Sequence, residues 1–245
     1  MGLPAAEPPP RAPLRRAPAP LRTPGVVHGF STRVGPGGAP LDLRPNSPHA
    51  DWAALAAALG AAQAPVARCS QVHGTALIEA EDGGMIGEAD AIFTTATGLL
   101  LCVRVADCTP VLLAGPGVVA AVHAGWRGAA AGIVPKTLAA LQARGLTVEE
   151  AVIGPSICLA CYEVGEEVVE GLAASGVPEA AFVDRSRGPR PHVDVAAVVA
   201  AQLHRAGVPV QQRLSACSRC DPELHSYRRD GAASGRMGAF IGRLF

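Results

Sequence analysis

Apolar stretches of strand length dominate the centre of the chain and are separated by short polar turns. Residues 72–79, 91–95, 99–105, 110–114 and 118–123 form such runs, rich in Val, Ile and Leu. Near-continuous apolar strands of this kind are covered on both faces. Upstream, residues 25–32 read as a short strand ending in Ser31-Thr32-Arg33, followed by a Gly/Pro loop through Pro40. Residues 51–59 place apolar side chains at helical spacing, with Asp51 as N-cap and Gly60 as stop. Residues 125–128 turn the chain into an alanine-rich helix running to about Arg144, with Gly145 closing it and Pro135 tolerable only near its first turn. Further helices are predicted over 165–174 and, N-capped by Asp194, over 195–206, and further strands over 151–153 and 210–215.

Loosely alternating strands and helices predict an α/β (α+β) fold, a single layered sandwich of mixed β-sheet flanked by helices. No repeat or linker divides residues 25–245, which read as one domain. Residues 1–24, built from Pro, Ala and Arg, read as a disordered tail without the apolar core of a secretory signal. The longest apolar region is interrupted by Arg104 and Asp107 and is too short and too charged to span a bilayer.

Charge and cysteine content narrow the function. Lys plus Arg and Asp plus Glu both number 21, so no global field draws nucleic acid or an anionic membrane. A small polar ligand fits better, and the chain is expected to act as a monomer or homodimer. Seven cysteines, an odd number in a chain of 245 residues, favour reduced thiols and a cytoplasmic location.

The chemistry concentrates where apolar runs end. His73 follows Val72, Cys108 follows Asp107, and His123 follows Val122. Two imidazoles and a thiolate can bind zinc and leave a fourth position open, as catalytic zinc sites do. Asp107 is the candidate carboxylate behind a ligating imidazole; a turn residue before Thr109-Pro110 is the equally weighted alternative. Arg33, Arg127 and the pair Arg228-Arg229 could hold phosphate through guanidinium forks. Trp126, Tyr162 and Tyr227 could contact a base or sugar. Cys158-Leu159-Ala160-Cys161 and Cys217-Ser218-Arg219-Cys220 have the spacing of a four-cysteine zinc site. The 55 residues between the pairs, and the lack of flanking glycine, favour pocket-lining or core thiols instead.

Taken together, Ser31-Thr32-Arg33, Gln71-Val72-His73-Gly74, Ala89-Asp90-Ala91, Ala106-Asp107-Cys108-Thr109-Pro110, His123-Ala124-Gly125-Trp126-Arg127-Gly128, Cys161-Tyr162-Glu163-Val164-Gly165 and Ser226-Tyr227-Arg228-Arg229-Asp230-Gly231 are familiar. The chain resembles the laccase-domain family, once called multicopper polyphenol oxidases and now regarded as purine nucleoside phosphorylases. The resemblance implies a layered α/β sandwich. It also implies zinc on His73, Cys108 and His123, a pocket for a nucleoside and phosphate, and added adenosine deaminase and methylthioadenosine phosphorylase activity. Arg33, Cys161, Cys217 and Arg229 look like pocket residues of that family. Cys158-Leu159-Ala160 departs from the family's Gly-Pro-Cys.

Three other readings compete. A copper-dependent polyphenol oxidase would need about ten histidines, many in His-X-His pairs, against seven and no such pair here, although a two-nitrogen, one-sulfur site would itself accept copper. A metal-free hydrolase would use Cys108 as nucleophile and His123 as base. Some family members are described as peptidoglycan editing factors, acting on cytosolic precursors.

Overall fold

The computed structural model describes residues 13–15 and 21–245. Its strands, in chain order, are β1 (Leu14–Arg15), β2 (Val26–Ser31), β3 (Val66–Ser70), β4 (Leu77–Glu79) and β5 (Gly84–Glu88). They continue as β6 (Ala91–Thr94), β7 (Leu99–Val105), β8 (Thr109–Gly115), β9 (Val118–Ala124) and β10 (Glu150–Ile153). The last are β11 (Val183–Asp184), β12 (His192–Val193), β13 (Val210–Arg213) and β14 (Met237–Arg243). The helices are α1 (His49–Ala58), α2 (Trp126–Ala130), α3 (Ile133–Gln142), α4 (Glu166–Ala173), α5 (Val195–Arg205) and α6 (Tyr227–Asp230).

The strands form two mixed six-stranded sheets, ordered β1-β2-β14-β7-β3-β5 and β13-β10-β8-β9-β6-β4, with β11 and β12 as a separate pair. The sheets stack face to face: Leu101, Val103, Ala239 and Ile241 of the first bury against Ile92, Leu112, Ala121 and Val152 of the second. The outer face of the second sheet is covered by α2, α3, α4 and α5, through Ile133, Val134, Leu172 and Val199 among others. The outer face of the first is covered by α1, whose Trp52 and Leu55, with Leu59 just after it, meet Leu100, Cys102 and Phe240. Both faces of each sheet are thus apolar, which is why β7, β8 and β9 read as continuous runs rather than alternating ones. The layered α/β architecture is the one the sequence predicts.

Several boundaries differ for identifiable reasons. Residues 72–76, predicted as part of a strand, form a turn in which His73 has φ 62°, and only Leu77–Glu79 is extended. The single helix predicted after Gly128 breaks at Gly132, which is left-handed at φ 75°, so Pro135 falls in the first turn of α3. α1 starts at His49, two residues before the predicted start; Asp51 lies in its first turn, where the helix dipole favours a carboxylate. Most of the predicted tail lies outside the described residues. Within it, Leu14–Arg15 pairs with Phe30 and Ser31, Leu21 is buried, and the Arg22 and Thr23 amides donate to the buried Glu150 carboxylate. The packed body therefore includes residues before 25. Among the described residues, no helix is long and apolar enough to cross a membrane.

Candidate metal centre and cavity

Three chain connections deliver three side chains to one point. His73 sits in the turn between β3 and β4, Cys108 in the short crossing from β7 in one sheet to β8 in the other, and His123 near the end of β9. Their donor atoms all lie within 4.8 Å of one another. Cys108 Sγ is 3.8 Å from His73 Nε2, and the two imidazoles meet edge to face with centroids 4.9 Å apart. Gly125 completes the cradle: a Cβ there would lie 2.9 Å from His73 Cδ2 and 3.2 Å from Cys108 Sγ. Two nitrogens and a sulfur at this spacing fit a divalent cation of zinc's class, with ligand bonds of about 2.0–2.3 Å and one position left open.

A carboxylate holds this arrangement, and it is Asp90. Fully buried, Asp90 accepts from His123 Nδ1 at 2.7 Å and from the amides of Val72, His73 and Gly74 at 3.2, 3.0 and 2.7 Å. One side chain therefore fixes the tautomer of His123, leaving Nε2 for the cation, and shapes the turn that carries His73. Gln71 pins the same turn to β7 by exchanging hydrogen bonds with the Arg104 backbone. Asp107, the carboxylate singled out for the imidazole, instead accepts from Ser218 Oγ and the Arg228 amide, both at 2.6 Å. Among the described residues, His73 (φ 62°) and Asp107 (φ 87°) are the two non-glycine residues with positive φ. Backbone strain stored at two positions of one site points to function there.

The electrostatics favour an ionised thiol. Burial pushes the Cys108 thiol up, but His123 and His73 outweigh it and bring it down to about 6. Burial lowers the His123 imidazole, while Cys108 and Asp90 together raise it to about 9. In metal-stripped protein, alkylation of Cys108 by iodoacetamide should therefore rise with a midpoint near pH 6 rather than the ordinary 9.0. His123→Ala should move that midpoint up, and zinc should protect the thiol. A wild-type midpoint near 9 would show that the pair does not form.

A cavity of about 700 Å³ opens at the three donors, within the roughly 300–1,000 Å³ typical of small-ligand sites. Arg44, Arg104, Arg127, Arg228 and Arg236 line it beside the single carboxylate of Asp107; Arg44 pairs with Asp42, and Arg104, Arg228 and Arg236 each also donate to a backbone carbonyl. Arg127 stacks over Trp126 at 4.4 Å and Arg228 lies 5.0 Å from the Tyr162 ring. Burial raises the Tyr162 phenol to about 12, so it stays a hydroxyl donor.

Of the residues singled out from sequence, His73, Asp107, Cys108, His123, Trp126, Arg127, Tyr162, Tyr227 and Arg228 line this cavity; Arg33, Cys161, Cys217 and Arg229 do not. Arg33 faces the Pro222 carbonyl at the surface. Arg229 spends its guanidinium on the carbonyls of Ser218, Arg219, Asp221 and Leu224 and on Asp230, fastening a loop. Cys161 and Cys217 meet Cys158 and Cys220 away from the cavity. Sequence reasoning missed Asp90 as the holding carboxylate, although Ala89-Asp90-Ala91 was among the segments noticed. It also missed Arg44, Arg104 and Arg236 as wall residues.

Residues 42–244 match the family described as multi-copper polyphenol oxidoreductase laccase. The chain is 40% identical over 248 residues to a Deinococcus radiodurans protein named purine nucleoside phosphorylase, covering 95% of this chain and 94% of that one. It is 36% identical over 167 residues to a protein of an unknown prokaryote named adenosine deaminase RL5, covering 65% of this chain and 63% of that one. The crystal structure of YlmD from Geobacillus stearothermophilus superposes with a TM-score of 0.79 at 30% identity, covering 90% of this chain and 92% of that one. Despite the family's description, the described residues hold two groups able to share an ion, and neither has the several histidines of a copper cluster.

Proposed function

The chain belongs to the multi-copper polyphenol oxidoreductase laccase family, and from that premise we propose that it is a zinc-dependent purine nucleoside phosphorylase. It converts adenosine, inosine or guanosine with phosphate to the free base and ribose 1-phosphate. The observation that carries this reading is the His73, Cys108 and His123 donor set at a cavity walled by five arginines. The naming of a relative 40% identical over nearly the whole chain supports it.

The wall residues suit the two halves of the reaction. Phosphate needs a cationic seat close to the sugar, and guanidinium forks supply one together with orientation. Trp126, Tyr162 and Tyr227 line the same cavity and offer faces on which a purine stacks. As a phosphate oxygen bonds to C1′, the bond from C1′ to the purine nitrogen breaks and the base takes up a proton. Asp107, held on the wall by Ser218 and Arg228, is the carboxyl group placed to pass that proton. Glu163 is not part of the wall; its carbonyl accepts from Arg228. A zinc ion on His73, Cys108 and His123 would supply Lewis acidity to a substrate heteroatom.

The relative named adenosine deaminase supports a second activity of the same site, in which water replaces the C6 amine of adenosine and ammonia leaves. Zinc-loaded protein incubated with inosine should release hypoxanthine and ribose 1-phosphate only when phosphate is present. Hypoxanthine at an equal rate without phosphate would refute phosphorolysis, and ammonia from adenosine would reveal deamination. Loss of both activities on chelation, with recovery on zinc, separates these readings from a metal-free Cys108 hydrolase.

A further inference from the structure

The Cys158 and Cys217 pairs lie far apart in the chain and side by side in the fold. β10 and β13 are parallel neighbours, with Ile153 beside Arg213, and their pairing resumes beyond both strands as a bridge between Ser156 and Cys217. The two CxxC loops therefore leave the second sheet at the same end. The 55 residues between them hold α4, β11, β12 and α5, a crossover long enough to make the strands parallel, and then β13 itself.

All four sulfurs lie within 4.8 Å of one another. The Sγ atoms of Cys161 and Cys220 are 3.1 Å apart, too far for the ~2.05 Å bond of a disulfide and closer than the ~3.8 Å separation of sulfurs on a tetrahedral zinc, so this pair would spread by about 0.7 Å around an ion. The Cys158 amide donates to Cys217 Sγ at 3.4 Å, and the Arg219 and Cys220 amides point at the same sulfur. Amides from the second and third residues after a cysteine, aimed back at its sulfur, wrap a CxxC turn around one point and favour its thiolate. Among the described residues this is the second of two groups able to share an ion, and it shares no residue with the first.

We infer that Cys158, Cys161, Cys217 and Cys220 hold a second divalent cation of zinc's class in a closed, four-thiolate structural site. It clamps the loop that lines one wall of the cavity to the loop that supports Asp107 on that wall. Ile157 and Tyr162 line the cavity from the first loop. Ser218, inside the second CxxC, donates to Asp107, and its carbonyl anchors Arg229. The site contributes no residue to the cavity wall and so acts on architecture, not on substrate.

Native mass spectrometry of the full chain, isolated anaerobically from zinc-supplemented cells, tests this independently of any catalytic activity. Wild type should carry two zinc ions, Cys220→Ser one, and His73→Ala one. Cys220 is exposed, so its replacement leaves the core untouched. A measurement on wild type alone complements the variants: the four thiols should resist alkylation in zinc-loaded protein and all become reactive after chelation. A zinc content that Cys220→Ser leaves equal to that of wild type, or a disulfide between Cys161 and Cys220 in the anaerobic protein, would overturn the assignment.

Discussion

Cys108→Ala is expected to reduce phosphorolysis about a thousand-fold or more while leaving the fold in place. A catalytic cation supplies several kcal/mol of transition-state stabilisation, and each 1.36 kcal/mol is a factor of about ten. Cys108 is half-buried in a turn between strands, so its truncation opens no void in the core. The other thiols provide the control. Cys69 and Cys102 lie in the apolar layers, where burial pushes both thiols up, Cys69 to about 11. Cys102→Ala should lower the melting temperature and leave kcat and the zinc at His73 and His123 unchanged. Turnover and metal content measured on both variants decide the matter; a Cys108→Ala protein with near-normal turnover would remove this thiol from the mechanism.

Asp90→Ala should have the largest effect on stability. Its carboxylate serves three amides and one imidazole from a fully buried position. Removing one member of such a buried network destabilises by about 3–5 kcal/mol, which at ~2–4 °C per kcal/mol for a chain of this size lowers the melting temperature by roughly 6–20 °C. Asp90→Asn keeps the shape, loses less stability, and should weaken zinc binding by about 10–100-fold, as removal of outer hydrogen-bond partners does. Acid dependence separates the two charge states. Burial alone would raise the Asp90 carboxyl, but hydrogen bonds from His123 and Gly74 hold it below 3.8. Its contribution is thus complete above that value and is lost as pH falls through the lower folded value. Urea titrations at neutral pH and at about pH 3 should show a larger loss in wild type than in Asp90→Asn, which keeps the other lowered carboxylates such as Glu150.

The three residues of the candidate metal centre were legible because Cys108 and His123 follow apolar runs, and because the segments around all three are distinctive in combination. Asp90 was not legible as their support. It sits between two alanines at the mouth of β6, and nothing in its neighbours says that three amides of a loop 16–18 residues earlier turn towards it. The cavity arginines escaped for a related reason. Arg44, Arg104 and Arg236 come from three separate stretches of chain, and only the fold brings them to one wall. Arg229 was singled out for its residue type and for the family resemblance, neither of which reveals that loop carbonyls occupy its guanidinium.

Strand β14 was invisible in the pattern although it is central to the first sheet, between β2 and β7. Gly238 and Gly242 break its apolar run and read as turn formers. Their small size is what the packing demands: a Cβ on Gly242 would come within 2.5 Å of the Leu99 carbonyl. The cysteine pairs were discounted for their separation in sequence, a distance that the β10–β13 crossover abolishes.

Anomalous diffraction at the zinc edge, from crystals of zinc-loaded protein that still cleave inosine, tests the metal centre most directly. A peak should lie about 2.0–2.3 Å from His73 Nε2, Cys108 Sγ and His123 Nε2. Turnover in crystals with no anomalous density among these three atoms would contradict the centre and the chemistry built on it.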